Sequence, residues 1–228
     1  MKNAVITGGS KGIGKAIATL FAQKGFTVTI TGRNEDSLKE AVTSLEGDGH
    51  SYVVGDVSSE ESAKKLRDAI SSVDVLVNNA GFGIFKNVED LSKKEFEDQL
   101  AVNVTGVFLT TKYLLPLFKE QNKGSIITIS SMAAQSSFAG GTAYTTTKWG
   151  VEGFMGSLKK ELRDTKVKCG TVLPGSVDTH FFDDLPFGPT QDRHLDAEDV
   201  ARTVYFMATQ PETADIDRIV LRPAKRDV

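Results

Sequence analysis

The sequence predicts an α/β protein built on one mainly parallel, doubly wound sheet of about seven strands, with helices on both faces. Three observations carry this expectation. Short runs rich in β-branched residues alternate with longer segments of helical periodicity. A glycine-rich turn follows the first of those runs and opens the first helical segment. No repeat and no Pro/Gly/Ser linker divides the 228 residues, so a single domain over 1–228 is expected.

Ala4-Val5-Ile6-Thr7 reads as a buried strand, and Ile13, Ile17, Leu20 and Phe21 then mark one face of a helix. Thr27–Thr31 is the second strand by its β-branched content. Asn34 is placed to cap the next helix, with Glu35 and Asp36 in its first turn. Further strands are expected at Ser51–Val54, Val73–Val77, Ser125–Ile129 and Val167–Leu173. Helices are expected near Ser59–Ser71, Ser92–Phe118, Thr142–Arg163 and Ala197–Ala208, before a short last strand at Ile219–Leu221. Strand–helix alternation requires crossovers, and their right-handedness leaves few topologies, of which the Rossmann type leads. Chemistry is therefore expected just after the strands, at their carboxyl ends.

Composition narrows the function. Hydrophobic residues are 39% and charged residues 25%, an ordinary globular balance. A net charge of −3 argues against a general nucleic-acid binder. The single cysteine, Cys169, allows no internal disulfide and fits a reducing, cytoplasmic setting. Uninterrupted apolar runs fall short of the ~18 residues of a membrane span. The scatter of His50, His180 and His194 suggests no metal site.

The turn after the first strand reads Thr7-Gly8-Gly9-Ser10-Lys11-Gly12-Ile13-Gly14. Glycines at 8, 12 and 14 allow a tight turn and close approach of the backbone to a pyrophosphate at the helix N-terminus. A nicotinamide dinucleotide is the ligand this points to. NAD sites place an acid at the end of the second strand, whereas NADP sites place a cation there. Here that end reads Thr31-Gly32-Arg33, and Lys11 approaches the same corner from the loop. Both suit a 2′-phosphate, so NADP(H) is favoured over NAD(H). Glu35 and Asp36 keep NAD open, although they also read as first-turn helix charges.

Tyr144 and Lys148 are four residues apart on a predicted helix and share a face. A neighbouring ammonium is expected to lower the tyrosine pKa from ~10 by about 1–3 units, toward useful acid–base chemistry. Ser131, thirteen residues before Tyr144, stands with Ser130 just after the fifth strand, placed to hold a substrate oxygen. Asn103 falls on the apolar stripe of Phe96, Leu100 and Val107. A buried amide needs partners: the helix backbone, a neighbouring loop that it caps, or a water that links Lys148 to solvent.

In this order these motifs resemble the short-chain dehydrogenase/reductase family, over roughly residues 3–208. Thr7–Gly14 matches its TGxxxGxG loop. Asp56-Val57 resembles its adenine-contacting pair, and Asn78-Asn79-Ala80-Gly81 its NNAG element. Asn103, Ser131, Tyr144 and Lys148 match its catalytic tetrad, and Pro174-Gly175-Ser176-Val177-Asp178-Thr179 its PG motif. The resemblance implies hydride transfer between nicotinamide and a carbonyl carbon. Tyr144 would exchange the proton, Lys148 would lower its pKa and bond the ribose, Ser131 would orient the substrate oxygen, and Asn103 would anchor a water relay. Cofactor contacts would come from Thr7, Gly8, Ser10, Lys11, Gly12, Ile13, Gly14, Arg33, Asp56, Val57, Asn79, Ala80, Gly81, Tyr144, Lys148, Pro174, Gly175, Val177 and Thr179.

A carbonyl reductase acting on a small molecule is the leading expectation. A 3-oxoacyl-thioester reductase and a non-catalytic NADP-binding regulator are the alternatives. The region 180–196 is expected to be a short apolar substrate lid. The C-terminus lacks the family's VDGG-like ending, so a tetramer contact there does not carry over. Pairing through the two long helices, Ser92–Phe118 and Thr142–Arg163, would still give a homodimer or homotetramer.

Overall fold

In the computed structural model, which describes residues 2–179 and 194–224, the chain enters directly into β1 (Lys2–Thr7). It continues through α1 (Gly12–Gln23), β2 (Phe26–Gly32), α2 (Glu35–Thr43), β3 (Ser51–Val54), α3 (Glu60–Ala69) and β4 (Val75–Asn78). Then follow α4 (Lys93–Leu100), a π-helical segment (Ala101–Thr105), α5 (Gly106–Gln121), β5 (Gly124–Ile129) and α6 (Thr142–Glu161). β6 (Val167–Pro174), α7 (Ala197–Ala208) and β7 (Arg218–Leu221) complete the described chain.

The seven strands form one parallel sheet in the order β3-β2-β1-β4-β5-β6-β7. The chain builds outward from β1 through β2 to β3, then returns to the other side of β1 with β4. The reversal opens a crevice beyond the carboxyl ends of β1 and β4, where such sheets bind ligands. Both faces are covered, as a parallel sheet requires. One core packs Ile17 and Phe21 of α1, Leu38 of α2 and Val200 and Val204 of α7 against Ile6, Val28, Ile30 and Val77. The other packs Leu66 of α3, Leu114 and Phe118 of α5 and Val151, Met155 and Leu158 of α6 against Val5, Leu76 and Ile126.

The expected elements are present, with informative differences at their ends. The fourth strand starts at Val75 because Val73 bonds elsewhere. Its N–H and C=O pair with the Gln121 amide, at 3.3 and 2.7 Å. Asn34 caps α2 by accepting from the Ser37 N–H at 2.8 Å, and Glu35 and Asp36 occupy the first turn as expected. The helix expected over Ser92–Phe118 runs to Gln121 and is not uniformly α-helical, because five residues around Asn103 form a π turn. Within this 29-residue run an 18-residue window reaches a mean hydropathy of 1.3, enough by length and composition to cross a membrane. Its apolar stripe instead packs against the sheet and α3, as in a core helix of a globular protein.

Candidate active site

The loop after β1 is tied to the loop after β4. The Thr7 hydroxyl accepts from the N–H groups of Asn79 and Ala80, both at 3.0 Å. The Asn79 amide donates back to the carbonyls of Thr7 and Gly8, at 2.9 and 3.2 Å. Gly8 takes a φ of +65°, and a Cβ on Gly14 would stand 2.2 Å from the Gly8 carbonyl oxygen. Helix α1 therefore starts closer to β1 than any side chain at 14 permits. Asn34, Ser59 and Ser92 cap α2, α3 and α4, whereas Lys11 at the head of α1 makes no side-chain cap. Its first N–H groups face the loop crevice with the positive end of the helix dipole, which fits a pyrophosphate. Gly9, unremarked in the sequence, is a packing position. A Cβ there would lie 2.5 Å from Ile30 Cγ2. Ile13 packs on the core beneath the loop, while Lys11 is exposed and Ser10 half-buried.

Arg33 is exposed at the end of β2. Its charge acts on Asp56, beyond β3. Partial burial pushes the Asp56 carboxyl up, but hydrogen bonds from the Ser58 hydroxyl and N–H, with the Arg33 guanidinium, bring it below the usual carboxylate range. Glu35 is engaged away from this corner, accepting from the Tyr52 hydroxyl at 3.2 Å. Val57 packs under α5, where a Cβ on Gly106 would meet its Cγ2 at 2.8 Å.

Asn103 is buried as its place in the stripe suggested. Its amide nitrogen donates to the Phe82 carbonyl at 2.8 Å and the Thr147 hydroxyl at 3.1 Å, and its oxygen accepts from the Phe82 N–H at 3.0 Å. The side chain thus takes the neighbouring loop and joins it to α6. Gly81 lies against it, and a Cβ there would be 3.1 Å from Asn103 Oδ1. Gln99, a turn earlier and fully buried, accepts from the Ile84 N–H at 3.1 Å. Neither Thr147 nor Gln99 was singled out by the sequence. A buried polar residue inside an apolar helix stripe is the only signal that marks such positions.

Ser131 follows β5 and caps a short turn, its hydroxyl accepting from the Ala133 N–H at 3.1 Å. It also hydrogen-bonds the Tyr144 hydroxyl. Lys148 is buried, its Nζ 5.5 Å from the Tyr144 ring centroid, and donates to the Ile129 carbonyl at 3.0 Å. Serine, tyrosine and lysine thus meet at the end of β5, as expected.

The electrostatics differ from expectation. Burial pushes the Tyr144 phenol up to about 12, against a downward pull from the Ser131 bond. The expected lowering by Lys148 is not found: desolvation of a phenolate dominates, and the Ser131 bond is what opposes it. Burial also draws Lys148 down to about 8, opposed by the charge of Glu152. Glu152, one turn further along α6, has a side chain only 9% exposed. Its Oε2 is bound by Arg218 of β7 at 2.6 Å and by the Thr171 hydroxyl at 3.3 Å. At neutral pH the site therefore presents a protonated phenol, able to donate, beside a serine hydroxyl and a charged lysine.

Beyond β6, Pro174 ends the strand, and Gly175 donates its N–H to the Leu221 carbonyl at 2.8 Å. Val177 pairs with Leu195 in an isolated bridge. Thr179 returns to the glycine loop, where a Cβ on Gly12 would sit 3.4 Å from its methyl group. The PG segment and the first loop thus close the same crevice. His180 and most of the expected lid, 180–193, lie outside the described residues. Among the described residues no cluster of three His, Cys, Asp or Glu suits a metal ion.

A sequence model of the family described as short chain dehydrogenase matches residues 2–186. An uncharacterized oxidoreductase of Staphylococcus aureus (strain MRSA252) is 33% identical over 226 residues, covering 97% of each chain. An alcohol dehydrogenase from the archaeon Thermococcus sibiricus, solved with 5-hydroxy-NADP, superposes with a TM-score of 0.90 at 32% identity, over 100% of this chain and 99% of that one. The closed form of a serine dehydrogenase complexed with NADP+ superposes with a TM-score of 0.90 at 27% identity, over 99% and 98%.

Proposed function

The chain belongs to the short chain dehydrogenase family of oxidoreductases, and from that premise we propose that it is an NADP(H)-dependent carbonyl reductase, interconverting a small carbonyl compound and its secondary alcohol. The observation that carries this reading is the hydrogen bond between Ser131 and Tyr144, with Lys148 one turn away, at the mouth of a crevice whose glycine loop suits a dinucleotide. A bound nicotinamide supplies the hydride that reaches the carbonyl carbon. Tyr144 donates the proton that the carbonyl oxygen takes up, and Ser131 holds that oxygen while negative charge develops on it. Lys148 holds the ribose and keeps a positive charge near the phenol. Asn103 fixes the loop at Phe82 and the start of α6, and so sets where the crevice wall stands.

Cofactor contacts in this reading come from Thr7, Gly8, Ser10, Lys11, Gly12, Ile13 and Gly14 around the pyrophosphate, and from Asp56 and Val57 at the adenine. Asn79, Ala80, Gly81, Pro174, Gly175, Val177 and Thr179 line the nicotinamide end. Arg33 and Lys11 pair with a 2′-phosphate, which favours NADP(H). The NADP complexes of the two similar structures support that preference. One domain over 1–228 holds the whole site, in a reducing cytoplasm that suits the lone, buried Cys169. A second copy of the chain pairs through α5 and α6, whose Phe108 and Trp149 are 42% and 54% exposed. A panel of small ketones and aldehydes, with NADPH and NADH compared by loss of nicotinamide absorbance, tests the reading. Turnover with NADPH in preference to NADH is expected. No turnover of any carbonyl overturns the catalytic role.

A further inference from the structure

Two aromatic rings stand beside the reacting phenol with no part in the chemistry above. Phe85, in the loop after β4, lies 5.2 Å from the Tyr144 ring, centroid to centroid, tilted by 54°. Phe138, between Ser131 and Tyr144, lies 5.9 Å from Phe85, tilted by 32°. The three rings make a continuous row. It begins at solvent, where Phe138 is 44% exposed, and ends at the proton donor.

The row is built by both loops. Gly140 takes a φ of +75°, and a Cβ on Gly141 would meet the Phe138 ring at 2.7 Å. The backbone therefore folds back under Phe138 and presents its ring toward Phe85. On the other side, the side-chain amides of Gln99 and Asn103 bond the backbone of Ile84 and Phe82, which fixes the segment that carries Phe85. The nearby cation, Lys86, is paired with Glu95 at 2.5 Å. An exposed large aromatic in a row that leads to a catalytic group is a surface prepared for a partner of matching chemistry.

We propose that Phe85 and Phe138 form the specificity wall of the site, and that its substrates are aryl ketones or aryl aldehydes: neutral compounds with a planar ring conjugated to the carbonyl. The inference rests on the catalytic reading above and adds the substrate class. An aryl ring laid along the wall brings its carbonyl oxygen to Tyr144 and Ser131, because the wall and the phenol are contiguous. Ring pairs favour offset and tilted contacts, so an aromatic substrate gains over a saturated one of the same size at each of the two phenylalanines.

The test compares acetophenone with cyclohexyl methyl ketone, which differ in aromaticity and hardly in size. The ratio of their kcat/KM values is read within each protein, so losses of folded enzyme cancel. The native chain is expected to favour acetophenone, by about two- to tenfold for each ring that contributes. Phe85→Leu and Phe138→Leu, each keeping an apolar side chain, are expected to lower that ratio. Turnover of both ketones at equal efficiency, or a ratio unchanged in both variants, overturns the aromatic wall and leaves the catalytic reading standing. No turnover of either ketone, while other carbonyls are reduced, overturns the substrate class. No turnover of any carbonyl removes the catalytic reading and this inference with it.

Discussion

Lys148 gives its ammonium to the carbonyl of Ile129, at 3.0 Å, and not to the phenol one turn before it. The lysine is thereby anchored to the end of β5 while its charge remains inside a buried site. The cost of that burial is visible in its proton affinity, drawn down to about 8 from 10.5. Below pH 8 the folded chain carries a charge that the unfolded chain holds more easily. That penalty is released between pH 8 and 10.5, where the unfolded lysine still binds a proton and the folded one does not. Stability of the cofactor-free protein should rise across this window by about 3 kcal/mol from this group alone. Tyr144 acts in the opposite sense above pH 10, because its folded phenol holds a proton up to about 12. Urea unfolding from pH 7 to 10 checks the rise, and Lys148→Met should flatten it.

The raised phenol also gives the two reaction directions opposite pH dependences. Reduction needs the protonated form and should hold a plateau through neutral pH. Oxidation needs the phenolate and should climb with pH. Tyr144→Phe should lower turnover about 100- to 10,000-fold while NADPH still quenches protein fluorescence with similar affinity. Steady-state rates in both directions, with a binding titration of the variant, measure this.

Arg33 is exposed at the end of β2, and its charge acts on Asp56 beyond β3. Arg33→Ala should raise KM for NADPH about 10- to 100-fold, the worth of a charge-assisted contact. KM for NADH should change little. The NADPH effect should shrink as salt is added, since an exposed guanidinium is screened.

Gly14→Ala places a methyl group where the Gly8 carbonyl oxygen is, 2.2 Å away. The loop and α1 must separate, at a cost of about 1–3 kcal/mol. Binding of NADPH and NADH should weaken together, in contrast to the selective effect at Arg33. Isothermal titration with each cofactor distinguishes the two.

Asn103→Ala removes all three hydrogen bonds of that amide and leaves the Phe82 N–H and carbonyl unpaired. Each such group costs about 1–3 kcal/mol when buried. A lower urea midpoint with a lower kcat is expected, because the freed loop carries the wall beside Tyr144.

What the sequence displays well is local. Period, caps and β-branched runs place the start of α2 and both ends of α7 and β3 to within a residue or two, because those signals lie within a few neighbours. The Tyr144/Lys148 pair is legible for the same reason. The Thr7–Asn79 tie joins residues 72 apart and has no local signature. The proton affinity of Tyr144 is not legible for a related reason. Counting an ammonium four residues away is possible from sequence, whereas weighing it against the desolvation of Tyr144 requires the packed site. The π turn at Asn103 was hidden because the apolar stripe continues through it.

That turn makes chain length a functional variable. A π turn carries one residue more than the α-helical turn it replaces. Excising a single residue from Ala101–Thr105 would relax it, and everything downstream would rotate by roughly a quarter-turn or more. Either the amide would lose its grip on Thr147, or Leu114 and Phe118 would swing off the sheet. Insertions and deletions here should therefore be far less forgivable than substitutions, although no residue of the segment is asked to react.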